Sequence, residues 1–135
     1  EILGVNDRMQ LQVVTKILQH RINGEFMKNG VTIEDINSTY IYDDVKIGMD
    51  TVIHPNTTIK SNVEIGEDCE IGPNSYIREG SRLANKVKIG SFVEIKKAII
   101  QLKKTLYKHR GLRRYYGFYC YQKRSRFDPR FKRLR

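Results

Sequence analysis

Ile41–Ile100 reads IYDDVK-IGMDTV-IHPNTT-IKSNVE-IGEDCE-IGPNSY-IREGSR-LANKVK-IGSFVE-IKKAII. Written in rows of six, every row begins with Ile or Leu: Ile41, Ile47, Ile53, Ile59, Ile65, Ile71, Ile77, Leu83, Ile89 and Ile95. A period of six predicts a stack of short strands and bends, three per coil, the parallel β-helix. The fifth place in each row is small or apolar: Val45, Thr51, Thr57, Val63, Cys69, Ser75, Ser81, Val87, Val93 and Ile99. It lies two residues before the next leading residue, so both share a face and point inward on strands of about four residues. The fourth place holds the bend residues Asp44, Asp50, Asn56, Asn62, Asp68, Asn74 and Gly80, which tolerate left-handed backbone. After Gly80 it becomes Lys86, Phe92 and Ala98, and the code weakens. Gly48, Gly66, Gly72 and Gly90 occupy the second place, where the chain packs closely at a corner. Just over three coils are expected, about 15 Å of stack.

The 135 residues bound the remainder to an arm and a tail. Asn6-Asp7 reads as a helix cap. Leu11, Val14, Leu18, Ile22 and Phe26 follow at helical spacing, an apolar stripe. Gly30 ends that helix. Net charge is +10 but uneven, with residues 1–100 at −2 and residues 101–135 at +12. The tail interleaves Lys and Arg with Tyr107, Tyr115, Tyr116, Phe118, Tyr119, Tyr121, Phe127 and Phe131, and the hexad register stops at Gln101. Such a tail suits a nucleic-acid partner, cations on phosphates and rings on bases. A further reading of the tail is translation in a shifted reading frame. No apolar run is long enough to span a membrane, and there is no basic leader at Glu1-Ile2-Leu3, so a cytoplasmic protein is expected. The absence of an initial Met reads as a fragment or processed product. Cys69 is a core residue by its inward place, and Cys120 is not assigned a partner.

Several runs carry a family resemblance. Glu1-Ile2-Leu3-Gly4-Val5-Asn6-Asp7-Arg8 with Gln10-Leu11, Asn29-Gly30-Val31-Thr32-Ile33, Ile77-Arg78-Glu79-Gly80 and Ile89-Gly90-Ser91-Phe92-Val93-Glu94-Ile95-Lys96-Lys97-Ala98 together resemble the bifunctional GlmU enzymes. The resemblance implies a mainly β fold: a left-handed parallel β-helix preceded by an α-helical arm, with an irregular basic tail. It divides the chain into the end of a uridylyltransferase domain (1–8), a linker arm (9–40), part of an acetyltransferase β-helix (41–100) and the tail (101–135). The family acetylates glucosamine 1-phosphate with acetyl-CoA, then transfers uridylyl from UTP, making UDP-N-acetylglucosamine for bacterial cell walls. The resemblance implies a homotrimer with sites between subunits, and acetyl-CoA and Mg²⁺ as cofactors.

Three residues carry over. Asn6 matches an Asn that helps hold Mg²⁺, a role an amide oxygen suits but does not fill alone; the competing reading is a helix cap. Arg78 and Lys96 match the basic residues that grip the sugar phosphate. Each follows an inward Ile, and one coil separates them, so they stack about 5 Å apart on one face. The family's general-base His has no clean counterpart. His109 falls one residue late between Lys108 and Arg110 and is not assigned the role, so no catalytic residue is named. With that motif and the acetyl-CoA coils missing, catalysis by the chain alone is expected to be incomplete. The alternative is a non-catalytic β-helical scaffold with a nucleic-acid-binding tail.

Overall fold

Residues 4–100 and the backbone of Thr105–Leu106 are described in the computed structural model. His109, Cys120 and the tail aromatics lie outside the described residues. Helix α1 spans Arg8–Lys28. Strands of two residues follow: β1 (Thr32–Ile33), β2 (Tyr40–Ile41), β3 (Lys46–Ile47) and β4 (Val52–Ile53). Next come β5 (Thr58–Ile59), β6 (Glu64–Ile65), β7 (Glu70–Ile71), β8 (Tyr76–Ile77) and β9 (Arg82–Leu83). The last are β10 (Lys88–Ile89), β11 (Glu94–Ile95), β12 (Ile99–Ile100) and β13 (Thr105–Leu106). The strands are shorter than the four residues expected, because a corner claims the rest of each hexad.

All pairings are parallel, and each strand pairs with the strand three places along the chain. Three sheets result, β1-β4-β7-β10-β13, β2-β5-β8-β11 and β3-β6-β9-β12. The chain is therefore a parallel β-helix of about four coils behind one helix. Its stack begins earlier than Ile41, since Thr32 pairs with Val52 and Ile33 with Ile53.

The leading residues form the core. Ile41, Ile53, Ile59, Ile71 and Ile77 are wholly buried, and Leu83, Ile89 and Ile95 nearly so. Burial of each such side chain contributes about 1.5–3 kcal/mol. Ile47 is only half-buried, because β3 ends its sheet and α1 packs on β1 and β2 instead. Of the inward polar residues, Thr51 Oγ1 donates to the Gly66 carbonyl (2.8 Å) and Ser75 Oγ to that of Gly90 (2.8 Å), whereas the buried Thr57 hydroxyl has no partner among the described residues. Cys69 is buried, as expected, with Sγ 3.2 Å from the Ala84 carbonyl oxygen.

The corners follow the bend code further than the sequence does. Asp50, Asn56, Asn62, Asp68, Asn74 and Gly80 have positive φ, and so do Lys86 (φ 61°) and Phe92 (φ 56°), which lack the favoured residue types. Neighbouring coils impose the bend there against a local cost of about 1 kcal/mol or more. Asp44 does not adopt it; its carboxylate accepts from Ser61 Oγ (2.6 Å) and Asn62 N–H (2.9 Å) in the next coil.

The expected end of the register is corrected. The corner after β11 is one residue short, and Lys97 (φ 45°) takes the bend in place of Ala98. Ile100 then lies beside Leu83, and Leu106 beside Ile89. Ala98 and Ile100 are buried, whereas Ile99 is half-exposed and does not point inward. The repeat slips by one residue and continues through β13.

The arm is also corrected. Leu11 and Leu18 are exposed, whereas Val14, Ile22 and Phe26 are half-buried and Phe26 packs on the core, so only part of the apolar stripe docks. Asn23 completes the docking face, and it is wholly buried. Its Nδ2 donates to the carbonyls of Thr39 (2.9 Å) and Ile36 (3.2 Å), and its Oδ1 accepts from Gln19 Nε2 (2.8 Å). A periodicity scan counts apolar side chains and overlooks a helix seated by satisfied amides. Gly30 (φ 91°) ends the arm as expected.

Candidate functional site

The second sheet carries the sequence-predicted pair. Arg78 N–H donates to the Ile95 carbonyl at 2.8 Å, which sets Arg78 beside Lys96 on adjacent rungs. Both follow a buried Ile, so both side chains leave the outer face from a fixed backbone. Arg78 Nη1 donates to Glu94 Oε1 at 3.2 Å, a half-exposed ion pair that sequence reasoning missed. One carboxylate occupies only part of a guanidinium's five donors. Lys96 is exposed and has no ion-pair partner among the described residues.

The same column continues downward. Lys60 N–H donates to the Ile77 carbonyl (2.9 Å) and Tyr42 N–H to that of Ile59 (3.1 Å). Tyr42, Lys60, Arg78 and Lys96 thus ascend one face. Lys60 escaped the sequence reading, although its place in its hexad is that of Arg78 and Lys96 in theirs.

Asn6 does not join this face. It precedes α1, and its backbone N–H donates to Gln10 Oε1 (2.7 Å). The helix cap is Asp7, whose carboxylate accepts from Gln10 N–H at 2.7 Å, so the cap falls to Asp7 rather than Asn6. Among the described residues no group of three or more His, Cys, Asp or Glu is placed to hold a metal ion. The described residues by themselves therefore do not complete a Mg²⁺ centre.

The described histidines are elsewhere. His20 Nε2 meets Asn37 Oδ1 at 2.9 Å beside the arm. His54 is clasped on the first sheet, Nδ1 2.7 Å from Glu34 and Nε2 3.1 Å from Glu70, with Lys88 2.6 Å from Glu70. Burial lowers the His54 pKa, but hydrogen bonds to Glu34 and Glu70 outweigh it and hold the pKa above 6.5. The Lys88 hydrogen bond, then that of His54, holds Glu70 below 4.5. A raised histidine stabilises the fold fully below its unfolded pKa and ceases to as pH rises through the folded value. A lowered carboxylate does so above its unfolded pKa and ceases as pH falls through the folded value. The clasp is thus strongest between about pH 4.5 and 6.5. Urea midpoints of wild type and His54→Gln will differ most in that window and converge as pH rises beyond it. The difference stays below about 1 kcal/mol because both carboxylates are half-exposed. A pH-independent difference would contradict the clasp.

With this geometry in view, the class of protein is a hexapeptide-repeat β-helix: residues 62–97 match the bacterial transferase hexapeptide family (six repeats). The chain is similar to proteins named bifunctional protein GlmU, as the sequence resemblance indicated. It is 57% identical to that of Acetivibrio thermocellus over 60 residues, 44% of this chain and 13% of the relative. It is 43% identical to that of Staphylococcus haemolyticus over 100 residues, 74% of this chain and 21% of the relative. The protein of Lactobacillus johnsonii is 58% identical over 60 residues, 44% of this chain and 13% of the relative. The chain thus matches between 13% and 21% of the length of these relatives. No helix among the described residues is long and apolar enough to cross a membrane.

Proposed function

We propose that this chain forms part of a sugar-phosphate acetyltransferase of the GlmU kind, and that Arg78 and Lys96 hold the phosphate of glucosamine 1-phosphate. The observation that carries this reading is the Arg78 N–H to Ile95 carbonyl bond, which sets two cations on neighbouring rungs of a rigid sheet. A phosphate oxygen accepting from the guanidinium and a second facing the ammonium would be fixed in orientation as well as attracted. Glu94 steadies the guanidinium and leaves donors free for the phosphate.

Acetyl-CoA is the implied acetyl donor and would supply a thioester to the sugar amine. Within one subunit neither His20 nor His54 lies on the second sheet, so neither is assigned the amine proton. Assembly as a homotrimer, action in the cytoplasm and a place in cell-wall precursor synthesis belong to the same proposal. Asn6 would contribute one amide oxygen to Mg²⁺, and no step is assigned through that ion.

Titrating the chain with glucosamine 1-phosphate tests the reading. Arg78→Ala removes charge-assisted hydrogen bonds worth about 1.5–3 kcal/mol, so affinity should fall roughly 10- to 100-fold. Unchanged affinity in Arg78→Ala would overturn it. Acetylation of the same sugar, assayed with acetyl-CoA, should fall in parallel wherever it is measurable.

A further inference from the structure

We infer that Lys60 extends the Arg78–Lys96 pair into a site for a ligand carrying two linked phosphates, a diphosphate. This rests on the reading of Arg78 and Lys96 as a phosphate grip. The amide bonds of Lys60 to Ile77 and of Arg78 to Ile95 put three cations on three successive rungs. At the ~4.8 Å strand spacing they span roughly 10 Å, more than one phosphate covers.

Like charges opposite one another on a sheet repel, so the column is costly unless anions answer it. Within the column only Arg78 has a carboxylate partner, Glu94 at 3.2 Å. Lys60 is held by neutral groups. Its Nζ donates to the Tyr42 hydroxyl at 2.9 Å and sits 4.8 Å from the centre of the Tyr42 ring and 6.0 Å from that of Tyr76. These contacts position the ammonium without neutralising it. The Tyr42 hydrogen bond, opposed by slight burial, raises the Lys60 pKa, so the charge persists at neutral pH. Asp43 and Glu79, near the same edge, form no ion pair with the column among the described residues. Three cations against one carboxylate leave a surplus suited to a second phosphate beside the first.

The test is calorimetric titration of the full chain with inorganic pyrophosphate and, separately, with orthophosphate at one ionic strength. Wild type should bind pyrophosphate at least tenfold more tightly. Lys60→Met keeps the apolar stem and should remove most of that preference while leaving orthophosphate affinity unchanged. Lys60→Arg keeps the charge and should retain the preference. Equal affinity of wild type for the two anions overturns the inference, as does a preference that survives Lys60→Met. Loss of both affinities in equal measure in Lys60→Met also overturns it. The underlying grip is judged apart, by the effect of Arg78→Ala on orthophosphate. If wild type binds neither anion, grip and extension both fall.

Discussion

Ile77→Ala will destabilise the fold by about 2–5 kcal/mol, the range for emptying a well-packed aliphatic site. Ile77 is wholly buried, and Ile59 and Ile95 pair with it from the rungs on either side. A parallel stack has little freedom to collapse onto the void, since each rung is bonded to the next. Ile77 also precedes Arg78, so loosening it frees the backbone that aims the guanidinium. Urea denaturation should show the loss directly, and glucosamine 1-phosphate affinity should weaken with it. Ile77→Val, at about 0.5–1.5 kcal/mol, is the graded control. A cost in Ile77→Ala no larger than in Ile77→Val would contradict the rigid column.

Gly66→Ala will cost about 1–3 kcal/mol, although it adds a single methyl group. A Cβ at Gly66 would stand 2.6 Å from the Asn85 amide nitrogen and 2.8 Å from the Ala84 carbonyl carbon, and would also strike Asn85 Oδ1. Comfortable contacts are about 3.5–4.0 Å, and the offending atoms are mostly backbone that cannot swing aside. The bond from Glu67 N–H to Asn85 Oδ1, 2.9 Å, would be lost with the displacement. Gly24→Ala provides the contrast: nothing lies within 4 Å of its would-be Cβ, and it sits inside α1. That change should stabilise by about 1 kcal/mol through helix propensity. Thermal melts of the two variants should therefore move in opposite directions. A neutral Gly66→Ala would show that the corners are not in close contact.

Much of this molecule was legible because a hexad is a local code read in one dimension. The leading Ile residues and the Asn and Asp bends mark which side chain points in and where the chain turns. Lys86 and Phe92 were not legible as bends, since neither prefers left-handed backbone; the coils above and below hold them there. The slip at Lys97 was hidden for a related reason. Dropping one corner residue breaks the pattern on paper, yet in space it shortens a bend and leaves the next rung intact. The docking of α1 through Asn23 was concealed because buried amides carry no apolar periodicity.

The candidate site divides in the same way. That Arg78 and Lys96 stand one coil apart on one face follows from period and alternation alone, since both are geometric consequences of sequence spacing. Their chemical state does not. The Arg78–Glu94 pair, the seating of Lys60 between two tyrosine rings and the His54 clasp between Glu34 and Glu70 depend on where long side chains come to rest across coils. The chain order alone therefore determined a parallel β-helix with a cationic pair on one face. Tertiary structure decided which charges on it are answered by a carboxylate and which are not, because that depends on contacts between residues a coil apart.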